Sequence, residues 1–102
     1  MKLLRVACSL TSAQLRKREA SLLTRFRPAV TDTEELPDGY AFRLPGDAKW
    51  ITLGAQLMVA ERECCPFLRF EVVAEADHGP VVVRITGPEG TKEFLREILM
   101  KD

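Results

Sequence analysis

Two adjacent cysteines, Cys64 and Cys65, are the residues of this chain whose type and spacing best suit chemistry, and they stand in the segment ERECCPF. Paired thiolates favour soft ions such as Hg(II), Cu(I), Cd(II) and trivalent arsenic, As(III). A single thiolate beside a base is instead the usual form of a cysteine nucleophile. The segment therefore predicts soft-metal binding or thiol catalysis, unless both cysteines act as small apolar residues of the core.

A carboxylate accompanies the two cysteines. Glu61 lies three residues before Cys64 and four before Cys65, so in a helix it is a neighbour of both. On a helical wheel Glu61 falls within an apolar arc, where an ionised carboxylate without a partner is costly. Its pKa should therefore rise, unless Arg5, Arg43, a backbone donor, a metal ion or a thiol becomes its partner, or the side chain reaches solvent.

The segment from about Ala48 to Cys64 or Cys65 is predicted to be this helix, and its wide apolar arc favours a well-buried position. Pro66 disfavours helical geometry at the preceding residue, so the chain is predicted to turn there and to display the Cys65 thiol at the helix terminus. The apolar arc contains Trp50, Leu53, Leu57, Ala60 and Cys64, flanked by Ile51, Met58 and Cys65.

The cysteine spacing does not indicate a structural zinc site, which normally takes four ligands in paired spacings. Cys8 lies on a predicted strand that the fold could bring beside Cys64, so it is a candidate third thiol ligand; the alternative is a core thiol. His78 stands in the segment DHGP and is predicted to be an exposed turn residue. The sequence shows neither a serine–histidine–acid set nor a glycine-rich phosphate loop.

Length and composition predict one domain, residues 1–102, of ordinary globular character. The 15 basic and 15 acidic residues balance, which argues against a dedicated nucleic-acid binder, and no apolar run approaches a membrane span. Arg5 interrupts the apolar start, so a signal sequence is not expected. Three cysteines, an odd number, favour reduced thiols and a cytoplasmic location over a disulfide scaffold.

Turn residues and hydrophobic periodicity predict the order βαββαββα: an α+β fold in which a mainly antiparallel sheet of about five strands carries three helices. The first helix follows Thr11 and ends at Pro28, the second is the cysteine helix, and the third follows Gly87-Pro88. The predicted strands are Leu3–Leu10, Ala29–Leu36, Tyr40–Leu44, Phe67–Ala76 and Val81–Thr86.

Three segments, ERECCPFLRFEVV, GPVVVRITGPEGTKEFL and LPDGYAFRLPGD, resemble a family of small uncharacterised bacterial proteins with a Glu-x-x-Cys-Cys-Pro-Phe motif. The resemblance covers most of the chain. Members of that family accompany mercury- or arsenic-resistance genes, so the resemblance implies a bacterial, cytoplasmic setting and agrees with soft-metal chemistry. It implies no defined activity. The motif corresponds to Glu61, Cys64, Cys65, Pro66 and Phe67.

The leading hypothesis is a protein that binds Hg(II), As(III) or Cu(I) in metal handling or detoxification. Cys64 and Cys65 would be ligands, Glu61 a weak or supporting ligand, and Cys8 a third thiol. The first alternative is a small thiol-dependent enzyme with a cysteine nucleophile and Glu61 as base. The second is a non-catalytic homodimeric module with structural cysteines, for which Val59 on the polar side of the wheel indicates a candidate surface.

Overall fold

The computed structural model describes residues 13–100, without the side chains of residues 13–16 and 19. The predicted strand Leu3–Leu10, the helix cap Thr11 and the candidate ligand Cys8 lie outside the described residues. The elements, in chain order, are α1 (Ala13–Ala29), β1 (Asp32–Leu36), β2 (Gly39–Leu44), α2 (Ala48–Cys64), β3 (Arg69–Ala74), β4 (Val81–Thr86) and α3 (Thr91–Leu95), which continues as a π-helical turn, Arg96–Met100.

Between residues 13 and 100 the strands form one antiparallel sheet of four, in the order β1-β2-β4-β3. Together with the three helices, this sheet confirms the predicted α+β class. The hairpin β1–β2 forms at the predicted LPDGY turn, and β4 has the predicted bounds. A fifth strand, and with it the full predicted order, stays a prediction.

Helix α1 runs further than expected and shortens the next strand. Pro28 lies inside its last turn and Ala29 is its last residue, so β1 begins at Asp32 rather than at Ala29. A proline near the end of a helix keeps a helix-compatible φ, and only one backbone hydrogen bond is lost. None of the helices that the structure describes is both long enough and apolar enough to cross a membrane.

One face of the sheet forms the core with the helices. Successive strand residues point to opposite faces, and the buried side chains of β4 (Val81, Val83 and Ile85) alternate with half-buried ones. On the other face Arg84 pairs with Glu71 at 3.4 Å, and both side chains are partly exposed. Strand β2 and the helices contribute further core residues, among them Tyr40, Phe42 and Leu44 of β2, Leu22, Leu23 and Phe26 of α1, Leu53, Leu57, Ala60 and Cys64 of α2, and Leu95 and Leu99 near the C-terminus.

Gly54 brings α2 close to this inner face. A Cβ at this position would lie 3.2 Å from Cγ2 of Val83 and 3.8 Å from Cγ1 of Val72, so even a methyl group would be crowded. The missing side chain therefore lets the helix pack closely on β3 and β4. The last turn of the same helix carries Glu61 and Cys64.

Candidate functional site

Helix periodicity places the candidate site at the buried end of α2. The prediction of this helix is confirmed in its bounds and in most of its faces: it spans Ala48–Cys64, Thr52, Gln56 and Glu63 face solvent, and Trp50 of the predicted apolar arc is only half-buried. Its buried residues are Leu53, Gly54, Leu57, Ala60, Glu61 and Cys64. Ile51, at the edge of the arc, is exposed to 38 %. An acidic residue thus occupies a core position because it lies four residues after Leu57 and three before Cys64.

Glu61 is 2 % exposed. The alternative in which its side chain reaches solvent is therefore wrong, and the prediction from the wheel is confirmed. Arg43, which was considered as a partner, is exposed and pairs in register with Val82, on the face of the sheet away from the helices. Arg5 lies outside the described residues. The last turn of α2 closes with a hydrogen bond of 2.6 Å from the Cys65 N–H to the Glu61 carbonyl oxygen.

Cys65 is fully buried, so the prediction that its thiol is displayed at the helix terminus is wrong. The residue caps α2 with φ −130° and ψ 73°, outside the helical region, as Pro66 requires. A turn follows, closed by a 3.1 Å hydrogen bond from the Leu68 N–H to the Cys65 carbonyl oxygen. The turn leaves Pro66 exposed and directs the Cys65 side chain into the core. It also delays β3, predicted from Phe67, to Arg69.

Glu61, Cys64 and Cys65 come together as one buried group. One carboxylate oxygen and the two Sγ atoms all lie within 4.8 Å of one another. The two sulfurs are 2.9 Å apart and within hydrogen-bonding distance. Because metal–thiolate bonds are about 2.3 Å long and metal–carboxylate bonds about 2.0–2.2 Å, small side-chain movements would let one ion reach all three atoms. The structure therefore brings together three of the four predicted ligands.

The oxidation state of Cys64 differs from the expectation of reduced thiols. Cys64 is disulfide-bonded in the structure. Its contact with Cys65 is a separate one, since 2.9 Å exceeds the roughly 2.05 Å of a disulfide bond. A disulfide sulfur is not a thiolate, so metal coordination by Cys64 requires reduction of this bond.

The one histidine of the sequence, His78, lies apart from Glu61, Cys64 and Cys65. His78 is exposed in the turn between β3 and β4, with a φ of 57°, as expected for a turn residue. Phe67, the last residue of the motif, is half-buried and contacts Phe94 of α3 edge-to-face, with ring centroids 5.2 Å apart. The segment after the cysteines is therefore anchored to the C-terminal helix by an aromatic contact.

Sequence reasoning missed a cleft and a buried hydroxyl near the start of α3. The cleft, of about 350 Å³, is lined by Pro37, Asp38 and residues 87–93, and none of the three site residues lines it. Thr91 is 1 % exposed, and its Oγ1 has no hydrogen-bond partner among the described residues. Gly87 faces this hydroxyl, because a Cβ there would lie 2.5 Å from Oγ1. The segment GPEGT contains these residues, but local sequence carries no signal for the burial of a threonine.

Compared with protein-family models, with curated proteins and with solved structures, the chain matches none of them at a significant level. The resemblance that the segments around Cys64 and Cys65 suggest therefore stays a prediction.

Proposed function

We propose that the reduced protein binds one soft metal or metalloid ion through Cys64 and Cys65, with Glu61 as a third or supporting ligand. The observation that carries this proposal is the grouping of the two sulfurs and a carboxylate oxygen within 4.8 Å in the core. Cys8 is a further candidate ligand from outside the described residues. The expected ions are Hg(II), As(III) and Cu(I), because two thiolates dominate the ligand set.

The charges of the group favour a cation. Two thiolates and a carboxylate this close repel one another when all are ionised, and burial adds to the cost. A bound cation compensates the three charges and keeps the thiols deprotonated. Hard ions such as Mg²⁺ and Ca²⁺ take six or more oxygen ligands and do not suit this set. A structural zinc ion takes four protein ligands, one more than the described group supplies.

The depth of the site indicates retention of the ion rather than rapid exchange. Glu61, Cys64 and Cys65 are each at most 2 % exposed, so an ion enters or leaves when part of the surrounding structure opens. Slow release suits a protein that sequesters an ion or stores it. We therefore propose an accessory role in metal handling or detoxification.

The first test removes both thiols. In the reduced protein the Cys64→Ser, Cys65→Ser double variant should lose one equivalent of bound Hg(II) or arsenite, because serine is a poor ligand for soft ions. Native mass spectrometry counts bound ions, and circular dichroism checks the fold. Equal affinity of the double variant and the parent protein would contradict the proposal. If the hydroxyls unfold the core, Cys64→Ala and Cys65→Ala provide apolar replacements.

The two glutamates of the last turn of α2 offer a matched control. Glu61→Gln should weaken binding by about tenfold, because it removes the charge beside the sulfurs and leaves the shape unchanged. Glu63→Gln makes the same chemical change on the exposed side of α2 and should leave the affinity unchanged. Equal effects of the two substitutions would show that Glu61 does not support the ion.

A thiol-dependent enzyme is the second candidate, favoured by the same carboxylate. A Glu61 oxygen lies within 4.8 Å of Cys65 Sγ, near enough to act as a base after a small movement. A catalytic thiol must reach its substrate, and the complete burial of Cys65 opposes this. The ion-binding proposal agrees better with burial, since an ion is smaller than an organic substrate.

A further inference from the structure

We propose that the disulfide bond of Cys64 is a redox gate for the ion site: reduction of this bond creates the site, and its re-formation releases the ion. The inference rests on the proposed soft-ion function and adds the regulation of that same site. Cys64 is disulfide-bonded, whereas Cys65, the next residue, carries a thiol. Both sulfurs belong to one buried group with a Glu61 carboxylate oxygen. The same cluster of side chains therefore contains a disulfide sulfur and a thiol.

The disulfide bond and the ion compete for one sulfur atom. The thiolate is the metal ligand, and in a disulfide the Cys64 Sγ is bonded to a second sulfur and carries no negative charge. The disulfide form is left with the Cys65 thiol and the Glu61 carboxylate, one thiolate short of the pair that suits a soft ion. The protein therefore cannot hold this bond and a two-thiolate ion complex at the same time.

The position of Cys64 allows the bond to be reached without global unfolding. Cys64 is the last residue of α2, and Glu63 before it and Pro66 two residues after it are exposed. Local opening at the end of an element costs less free energy than opening of the whole core. Cys64 itself is 0 % exposed, so reductants and oxidants reach its sulfur only during such an opening. The gate is therefore expected to change state slowly.

Opening the gate takes two electrons from a reductant such as a phosphine. The S–S bond of Cys64 breaks, one water gives its oxygen to phosphorus and its two hydrogens to the two sulfurs, and the phosphine becomes a phosphine oxide. The ion then replaces the protons of the Cys64 and Cys65 thiols. Closing the gate takes an oxidant such as the diazene diamide, which accepts two electrons and two protons and becomes a hydrazine. The S–S bond re-forms, and the ion leaves because it loses the Cys64 thiolate.

The first experiment compares the two redox forms of the same protein. The disulfide form is titrated with Hg(II) or with arsenite, then reduced with the phosphine, separated from it and titrated again. Native mass spectrometry detects the two hydrogens gained on reduction and counts bound ions. We expect one ion per chain in the reduced form. The disulfide form should bind at least about a hundredfold more weakly, the usual gain from joining two binding groups.

The second experiment closes the gate on a loaded site. When diamide is added to the ion-loaded protein, with excess ion removed, the ion should leave as the S–S bond re-forms. When the ion is instead kept in excess at a hundred times its Kd, about one chain in a hundred is ion-free, so oxidation should slow by about a hundredfold. Cys65→Ser retains Cys64 and loses the second thiolate, so at the same ion concentration its oxidation should not slow.

Each contrary result has a definite meaning. Equal affinity of the two forms, or an ion that stays bound after the S–S bond re-forms, would overturn the gate and leave the soft-ion proposal intact. Equal slowing in Cys65→Ser and the parent would also overturn the gate. A reduced protein that binds neither Hg(II) nor arsenite would overturn the proposed function as well.

Circular dichroism covers the case in which reduction alone unfolds the chain. Added Hg(II) or arsenite should then restore the fold, because ion binding to the folded state contributes to its stability. A reduced chain that stays unfolded with the ion would overturn the gate. The comparison of the two redox forms needs no variant, so it stands if Cys65→Ser does not fold.

Discussion

Glu61 and Glu63 are chemically identical, stand two positions apart on one helix, and lie in opposite environments. Glu61 is 2 % exposed and packs beside Cys64, whereas Glu63 faces solvent. The difference comes from the helical repeat, which turns residue 63 by about 200° relative to residue 61. At the residue scale, position on α2 rather than residue type selects the carboxylate that can support an ion.

Burial of the cysteines leads to a prediction about thiol reactivity. In the reduced, folded protein, Cys65 should react with a bulky disulfide reagent such as DTNB at least about tenfold more slowly than in the unfolded chain, because a reagent of that size needs local opening. Absorbance at the released thiolate follows the rate. Glu63→Cys, which adds a thiol on the exposed side of α2, should contribute one fast-reacting group.

The contrary result separates the two candidate functions. Rapid reaction of Cys65 in the folded protein, at the rate of the exposed thiol of Glu63→Cys, would contradict its burial and favour the catalytic alternative. The folded protein should be checked by circular dichroism before and after reduction, since Cys64 is disulfide-bonded in the structure.

At the scale of elements, polar contacts attach the start of the C-terminal helix to the sheet. Lys92 of α3 forms an ion pair with Glu35 of β1. Arg96, at the start of the π-helical turn, donates a hydrogen bond of 2.6 Å from Nη1 to the Tyr40 hydroxyl of β2. The two contacts join one helix to two neighbouring strands, so they orient the helix against which Phe67 packs.

The Glu35 ion pair should make this attachment depend on pH. The hydrogen bond from Lys92 and its positive charge, with a smaller contribution from Arg96, lower the pKa of Glu35 below its ordinary value of 4.5. A lowered pKa in the folded state means that the stabilisation is present above pH 4.5 and is lost as the pH falls through the folded-state pKa. Carboxyl chemical shifts measured by NMR should show the lowered midpoint, and Lys92→Met should return it towards 4.5.

Stability measurements provide the control for this pair. Glu35→Gln should be slightly less stable than the parent protein at pH 7, and the difference should vanish below the folded-state pKa of Glu35. The effect should be small because Glu35 is exposed. Glu34→Gln, the same substitution at the neighbouring exposed position, is the matched control. A difference that grows as the pH falls would contradict the assigned sign.

At the scale of the whole molecule, α1 at the start of the described chain contacts both the sheet and the C-terminal turn. Phe26 contacts Phe42 of β2 edge-to-face, with ring centroids 5.8 Å apart. Arg27 donates two hydrogen bonds to the Ile98 carbonyl oxygen, from Nε at 3.0 Å and from Nη2 at 2.7 Å. The carbonyls of the last turn of a helix have no partner within it, so Arg27 satisfies one that would otherwise be left to water.

Removal of this guanidinium should loosen the C-terminal turn. Arg27→Met keeps most of the apolar stem and removes both donors, and it should lower the free energy of unfolding by about 1.5–3 kcal/mol, the usual value for hydrogen bonds to charged groups. Hydrogen exchange measured by mass spectrometry should become faster in Arg96–Met100. Arg25→Met, at an exposed position of the same helix, is the control. Equal exchange in the two variants would contradict the role of Arg27.

The homodimer hypothesis also belongs to this scale and stays a prediction. Val59, on the polar side of the α2 wheel, is 54 % exposed, and Ile51 on the same helix is 38 % exposed. These residues are the candidate surface for a second copy. The native mass spectra used to count bound ions also report the mass of the assembly, so one measurement tests both hypotheses.

Local sequence patterns were sufficient for the elements that carry the site and for the burial of Glu61. The breakers Pro45-Gly46 and Pro66 bound α2, and apolar residues at helical spacing define its buried face. These signals lie within a few residues of the feature they predict. The bounds of α2 and β4 were therefore predictable from the chain alone, as was the carboxylate beside the cysteines.

Tertiary structure decided what lies beyond the helix end and what pairs across the sheet. The Cys65 side chain turns inwards because the turn to Leu68 leads the chain back onto the core, whereas Pro66 predicts only that the helix stops. The order β1-β2-β4-β3 places β4 between two earlier strands. Both results depend on contacts between residues distant in sequence. Such contacts produce no repeating hydrophobic pattern in the chain, so the sequence alone does not predict them.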